Sequence, residues 1–405
     1  MKPYKWAILL SLILGFRLGY ALLTPEGRQG PIADATVYWS MGINLAHGEG
    51  LHHENAYSIR PPGYPLFLGG ICALLGPSLL GAKLIQILLA GVTGLLLFKI
   101  TSFYYDERAA WAAGIIYAVS YDSFIIPAEM MSENLYAFLL VLSVYVLVRG
   151  RHLLASLAFT ALYATRQESL LFIAAIVCVY AYLDFKGNLK KILMIALALL
   201  AFNSAWAYRN WKIHHRLVIG TTESETHLYL SNVYIFQRLG DRLADEHNIM
   251  TLPPEGGDET EMRRRNQQSC VELFSRQPLY RFLLAPFLKL GFFLYPFRPA
   301  YDLTYMWILP FWLLGLYLYR HDWREKYPLY AVFCIVLGLL AVFHAVPRYR
   351  GPLFPFMAIF AGAALVKLWP ASLKNRLLIS AWLLANVAVY IEAGPIRLLA
   401  KRLLP

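Results

Sequence analysis

Eleven apolar runs recur along the chain, separated by short polar turns, and few folds tolerate that pattern. They cover 6–23, 82–103, 109–126, 134–148, 153–166, 170–182, 192–208, 303–319, 329–345, 353–369 and 377–391. A helix needs about 20 predominantly apolar residues to cross a bilayer. Within hydrocarbon only helices and closed barrels satisfy every backbone polar group. Composition agrees: 58% of the residues are hydrophobic and 15% are charged, against about 45–50% and about 25% in soluble domains. A soluble enzyme, a disordered chain and a fibrous chain are excluded. The fold class expected is all-α and polytopic.

The formal charge of +12 reports orientation and not nucleic-acid binding, because the basic residues cluster between spans and form no stripe. The basic N-terminus leads into 6–23 without a small-residue cleavage site, so a retained first span with its N-terminus inside is expected. Arg108, 149–151 and 186–191 then all fall inside, provided that 62–80 does not cross. Prolines and glycines in 61–76 favour a tilted surface or re-entrant helix there. The first outer segment accordingly runs over 24–81. A second starts at Arg209 and contains a polar helical stretch around 258–275. The next run, 280–295, carries Lys289 at its middle, which costs roughly 2.5–3.5 kcal/mol on insertion scales. Laying it on the outer surface puts 320–326 and 374–376 inside and 347–350 outside. The tail 395–405 reads as a short basic surface helix. Three parts follow: an N-terminal membrane module over 1–208, the outer segment with its juxtamembrane helix over 209–302, and C-terminal membrane helices over 303–405. Four scattered cysteines give no disulfide framework or metal spacing.

Several outer residues can do chemistry. Asp34 stands where a helix N-cap would stand, directly after a span; it is a cap or a functional carboxylate at the membrane face. Arg60 precedes two prolines that fix the backbone, so its guanidinium either grips a phosphate with two parallel bonds or snorkels to lipid headgroups. Glu133 begins an apolar run after Pro127 and is either functional or a polar helix end, with Glu129 its competitor. Arg166 and Glu168 lie near an outer helix end and could simply pair with one another. Arg209 could be an interfacial anchor. His52-His53-Glu54 has the donor types of a metal site, but adjacent histidines point apart on most backbones. Arg263-Arg264-Arg265 reads as a solvated helix face, and the aromatics of 283–312 as packing and not a sugar platform.

The stretch Asp34-x-x-x-Tyr38 followed by Arg60-Pro-Pro-Gly-Tyr64-Pro-Leu-Phe-Leu resembles the integral-membrane GT-C glycosyltransferases. The similar branch is that of protein O-mannosyltransferases and lipid A aminoarabinose transferases, glycosyltransferase family 39-like. Ser132-Glu133-Asn-Leu-Tyr136 resembles the second acidic motif of these enzymes. Arg166-Gln-Glu168 resembles their Arg-Pro-Glu element with Gln167 in place of proline, and Arg209-Asn-Trp their Arg-Asn pair. Pro347-Arg348-Tyr349-Arg350-Gly-Pro-Leu-Phe-Pro resembles the late Arg-Tyr motif. The interior of 221–276 departs from the pattern.

The resemblance implies a hexosyl or pentosyl transferase of the plasma (inner) membrane. It would move a sugar from a polyprenyl-phosphate-linked donor to a lipid, glycan or protein acceptor at the extracytoplasmic face, by inversion. Asp34 and Glu133 are then the catalytic carboxylates. Arg60, Arg348, Tyr349 and Arg350 surround the donor phosphate. Tyr38, Tyr64, Arg166, Glu168 and Arg209 position substrate. No cofactor is implied with certainty; Asp34, Glu133, His52 and His53 are the groups that could hold a divalent cation. The rival class is a flippase or carrier of polyprenyl-linked or other anionic lipids, against which the lack of an internal repeat counts.

Overall fold

The computed structural model describes residues 3–253, 258–297, 301–343 and 347–392. Among them every regular element is helical, and strand pairing is limited to two isolated bridges, His53 with Ala56 and Phe297 with Tyr301. The basic helix expected over 395–405 lies outside the described residues.

Among the described residues four helices are long and apolar enough to cross a membrane: Lys5–Leu23, Leu79–Tyr104, Gln167–His214 and Pro347–Leu368. A fifth arises if Glu107–Val119 and Tyr121–Ala128, bent by 69°, form one broken span. The eleven runs of the sequence do not become eleven full-length helices, and the reasons are local. Pro127 follows the bend in the third run, and the run over 329–345 divides into Tyr327–Ala331 and Cys334–Ala341. Conversely, Leu170–His214 is continuous except at Asp184, whose φ of −165° and ψ of 95° break the helix beside the basic turn 186–191. Two spans separated by a short turn were expected there, and the break sits between them.

One apolar core draws buried residues from Leu9 to Ile379, so the first and last thirds of the chain share it. Its centre is Phe354–Leu368, in which every residue from Phe354 to Ala364 is buried. That helix approaches Glu107–Val119 at Gly362, where an added Cβ would stand 2.6 Å from the Ala113 nitrogen and 3.0 Å from the Ala109 oxygen. Both obstacles are backbone and cannot rotate away. Gly362→Val is expected to destabilise the fold by about 1–3 kcal/mol, read as a lower melting temperature in detergent; an unchanged melt contradicts this packing.

The second outer segment has a small core of its own around Tyr229, Val233, Phe236, Leu273 and Ala285, supplied by Ser224–Arg238, Glu259–Ser275 and Leu279–Leu294. Lys289 explains why Leu279–Leu294 sits here. It is buried, and its Nζ donates to Asn232 Oδ1 at 2.9 Å. The helix thus turns its lysine toward the outer segment, while Leu283 and Phe287 on the far side stay exposed. Gly63–Leu75, in the segment expected not to cross, is about 20 Å long at 1.5 Å per residue and packs against Asp34–Ala46 through Gly42 and Gly69.

Candidate active site

Helix ends and the turns beside them converge on one cavity of about 150 Å³. Asp34 is the first residue of Asp34–Ala46, directly after Ala33, whose φ of 49° is a left-handed conformation that alanine seldom adopts. The cap position therefore belongs to Ala33, and the capping role open to Asp34 gives way to another. Its carboxylate receives Arg60 at 2.9 Å and Arg348 at 3.6 Å. The two guanidiniums come from opposite ends of the sequence.

Arg60 is delivered by the Pro61-Pro62 turn. Gly63 lets that turn lie against the end of His152–Thr165, where a Cβ would meet Thr165 Oγ1 at 2.6 Å and the Ala164 carbonyl carbon at 2.8 Å. Arg60 is 6% exposed and ion-paired to Glu223 as well as Asp34, with His227 Nε2 3.1 Å away and Tyr38 beneath it at 5.5 Å. Burial pulls its pKa down, but Glu223, Tyr38 and Asp34 more than offset this, leaving it above its ordinary value. Glu259 accepts the backbone N–H groups of Tyr57 at 2.8 Å and Ser58 at 3.0 Å, and the hydroxyl of Thr222. One buried carboxylate thereby holds the loops that carry Arg60 and Glu223.

Glu133 opens Glu133–Val148 with its side chain fully buried, in ion pairs with Arg166 at 3.1 Å and Arg348 at 3.0 Å. It does not line the cavity. Arg166 also pairs with Glu168 at 2.5 Å, so these two do bond to one another while both face the cavity. Tyr349 lies under Arg166 at 5.1 Å and beside Arg348 at 5.7 Å. Solvent reaches the charged groups unequally: the side chains of Asp34 and Arg348 are 39% and 35% exposed, against 14% for Arg166 and 0% for Glu133. Asp34 and Arg348 are the charged pair that a bound substrate can meet.

Other expected residues lie elsewhere. Arg350 is fully buried: its Nε donates to Asp122 at 3.1 Å, its NH1 donates to the Tyr295 carbonyl at 2.8 Å, and the Tyr305 ring lies 3.6 Å away. This corrects the expectation of a phosphate contact for Arg350, because the side chain lies outside the cavity lining and its Nε and NH1 are bonded inside the core. Tyr64 is buried and donates to Gln86 at 3.1 Å. Arg209 ties down the outer loop through the carbonyls of Tyr57 and Leu51, both at 2.7 Å. Glu129 lines no part of the cavity. Arg264 and Arg265 pair with Glu261 on an exposed helix face, and Arg263 with Glu225.

His52 and His53 do not join Asp34 and Glu133. His53 Nδ1 meets Ser40 Oγ at 2.5 Å, burial holds its pKa below the ordinary value, and the His52 ring packs at a tilt against Tyr57. Arg348 occupies the space between Asp34 and Glu133, so a cation shared by those two would have to displace it. Among the described residues no three His, Cys, Asp or Glu side chains come together as a metal site.

Sequence reasoning missed Glu223, which pairs with Arg60 behind the cavity wall; it also missed Thr221, Ser224, His227 and Ser231, which close the cavity from the second outer segment, and Leu339 and Phe343, which add apolar wall. A signal was present. Ser224, His227 and Ser231 repeat at helical spacing opposite the apolar Tyr229, Val233 and Phe236, a polar stripe that must face something wet.

Comparison with known proteins adds the following. The family model of dolichyl-phosphate-mannose-protein mannosyltransferase matches residues 59–208. No curated protein matches by sequence. ArnT from Cupriavidus metallidurans, solved bound to undecaprenyl phosphate, superposes with a TM-score of 0.55 at 14% identity over 99% of this chain and 73% of its own. The oligosaccharyltransferase of Archaeoglobus fulgidus superposes with a TM-score of 0.54 at 12% identity over 97% of this chain. AglB from the same organism, solved with an inhibitory peptide and a dolichol-phosphate, gives 0.53 at 13% over 94%. The chain spans about half the length of these archaeal enzymes, 55% and 52%.

Proposed function

We propose that this membrane protein, whose fold is that of the GT-C integral-membrane glycosyltransferases, transfers a hexosyl or pentosyl group from a polyprenyl-phosphate-linked donor to an acceptor outside the cytoplasm. One observation carries the reading. Asp34, near the start of the chain, shares a half-exposed cavity with Arg348, near its end, and the two are in contact. Transfer from a lipid phosphate needs both: a base for the nucleophile and a fixed cation for the leaving group.

The acceptor hydroxyl or amine attacks the anomeric carbon, and its proton passes to Asp34. The bond between that carbon and the phosphate oxygen breaks, and the electron pair leaves on the lipid phosphate. A phosphate is already a stable anion and needs no acid to protonate it. Its growing charge is stabilised by Arg348, with Arg166 and Tyr349 alongside. Arg60, held between Asp34 and Glu223, orients the base. Glu133 fixes the two arginines from beneath. A single displacement inverts the anomeric centre. The ArnT relative solved with undecaprenyl phosphate supports a lipid-phosphate donor. Positive clusters at 149–151 and 186–191 support a plasma-membrane orientation with the cavity outside.

The test is incubation of the purified protein with radiolabelled polyprenyl-phosphate sugars. Release of lipid phosphate together with a glycosylated acceptor supports transfer; movement of intact donor across vesicles without release would make the chain a carrier. In the same assay Arg348→Ala is expected to weaken donor use by about 10-fold to 100-fold, the range for losing a charged hydrogen bond. The loss should fall on KM for the donor and on kcat, with KM for the acceptor little changed. An Arg348→Ala enzyme with the donor KM of the unsubstituted protein removes the arginine from the phosphate site.

A further inference from the structure

A second cavity, of about 450 Å³, lies among Trp6, Phe98, Lys99, Phe103, Tyr145 and Arg149. It stands at the other end of two apolar helices from the active site, and these measure the separation. Glu133–Val148 starts at the buried carboxylate that holds Arg348 and ends beside Arg149, about 24 Å away at 1.5 Å per residue. Leu79–Tyr104 runs from Lys83, which donates to the outer carbonyls of Gly27 and Gln29, to Lys99, also about 24 Å.

The lining combines two chemistries. Lys99 and Arg149 are exposed. Among the described residues neither side chain has a carboxylate partner; the Lys99 ammonium has only the Tyr145 ring, 5.8 Å away. The one carboxylate in the wall, Glu107, is already paired with Lys5 at 3.0 Å. Apart from Ser102, the rest is apolar and aromatic. Trp6 packs edge-on against Phe98 at 4.8 Å, and Phe103 is 59% exposed beside them. Aromatic rings favour the headgroup level, and basic pockets between spans bind anionic head groups. A soluble anion would use the two cations and have no use for the apolar wall. A zwitterionic lipid would use the wall and leave an excess of positive charge.

We propose that this cavity is a binding site for one anionic phospholipid of the leaflet opposite the active site. Its phosphate headgroup lies between Lys99 and Arg149, and an acyl chain runs along Trp6, Phe98 and Phe103. The site does not depend on the sugar-transfer reading, since it shares no residue with the active site.

Native mass spectrometry of the purified full chain tests it, with phosphatidylglycerol, phosphatidylcholine or inorganic phosphate added as separate probes. Phosphatidylglycerol should be retained, phosphatidylcholine and phosphate should not. The double variant Lys99→Gln/Arg149→Gln should bind phosphatidylglycerol about 30-fold more weakly, at roughly fivefold per cation. Trp6→Ala should weaken it independently of charge. Equal retention of phosphatidylcholine, retention of phosphate alone, or unaltered binding by the double variant each overturns the proposal. Because the readout is bound lipid in the folded chain, a variant that misfolds is recognised by its melt, and Lys99→Gln and Arg149→Gln singly then give the answer.

Discussion

With Asp34 as the base of the proposed transfer, Asp34→Asn is expected to reduce sugar transfer by roughly 10²-fold to 10⁴-fold, the span for losing a positioned general base. Asparagine keeps the size and shape of the side chain and can still accept from Arg60, whose other carboxylate partner is Glu223. The fold should therefore survive, and donor binding, assigned to Arg348 in the proposed mechanism, should change little. The loss appears in kcat. Single-turnover transfer with preloaded lipid donor measures it directly. A rate within threefold of the unsubstituted enzyme, in a protein that melts at its usual temperature, takes Asp34 out of the chemistry and leaves it an ion-pair partner of the two arginines.

The second large effect is on stability. Arg350→Ala strips the cation from a pair in which both side chains are 0% exposed, leaving Asp122 buried beside Asp302, which caps the helix Leu303–Leu318 at Tyr305. Removing one member of a buried pair costs about 3–5 kcal/mol. The protein should melt far lower in detergent and accumulate poorly. Adding Asp122→Ala should recover part of that loss, because the buried carboxylate that has lost its arginine goes with it. The surviving folded fraction should show an ordinary KM for the donor. A normal melt with a raised donor KM would reverse the assignment and return Arg350 to the phosphate.

These two arginines show where a one-dimensional reading reaches its end. Arg348 and Arg350 share one motif, and as text they are equivalent candidates. The chain folds them into the 3₁₀ turn Pro347–Leu353, and at three residues per turn positions two apart point about 120° away from one another. One guanidinium must face away from whatever the other faces. Asp122, 228 residues distant, decides which one is buried. Asp34 tells the same story in smaller compass: its type suited a cap, but the helix begins one residue earlier than a cap at Asp34 requires.

The sequence by itself determined the helical class, most of the apolar helices, the need of Lys289 for a polar neighbour and the stretches that supply the cavity. These follow from local physics. A backbone in hydrocarbon must bond to itself, a lysine at mid-helix must find a polar neighbour, and prolines fix the residues beside them. Tertiary structure alone decided which carboxylate stays reachable, which arginine is buried, and that the poorly matched outer helix Ser224–Arg238 contributes Ser224, His227 and Ser231 to the cavity wall. Those outcomes depend on charges and surfaces brought together from distant parts of the chain, and no spacing along it records such encounters.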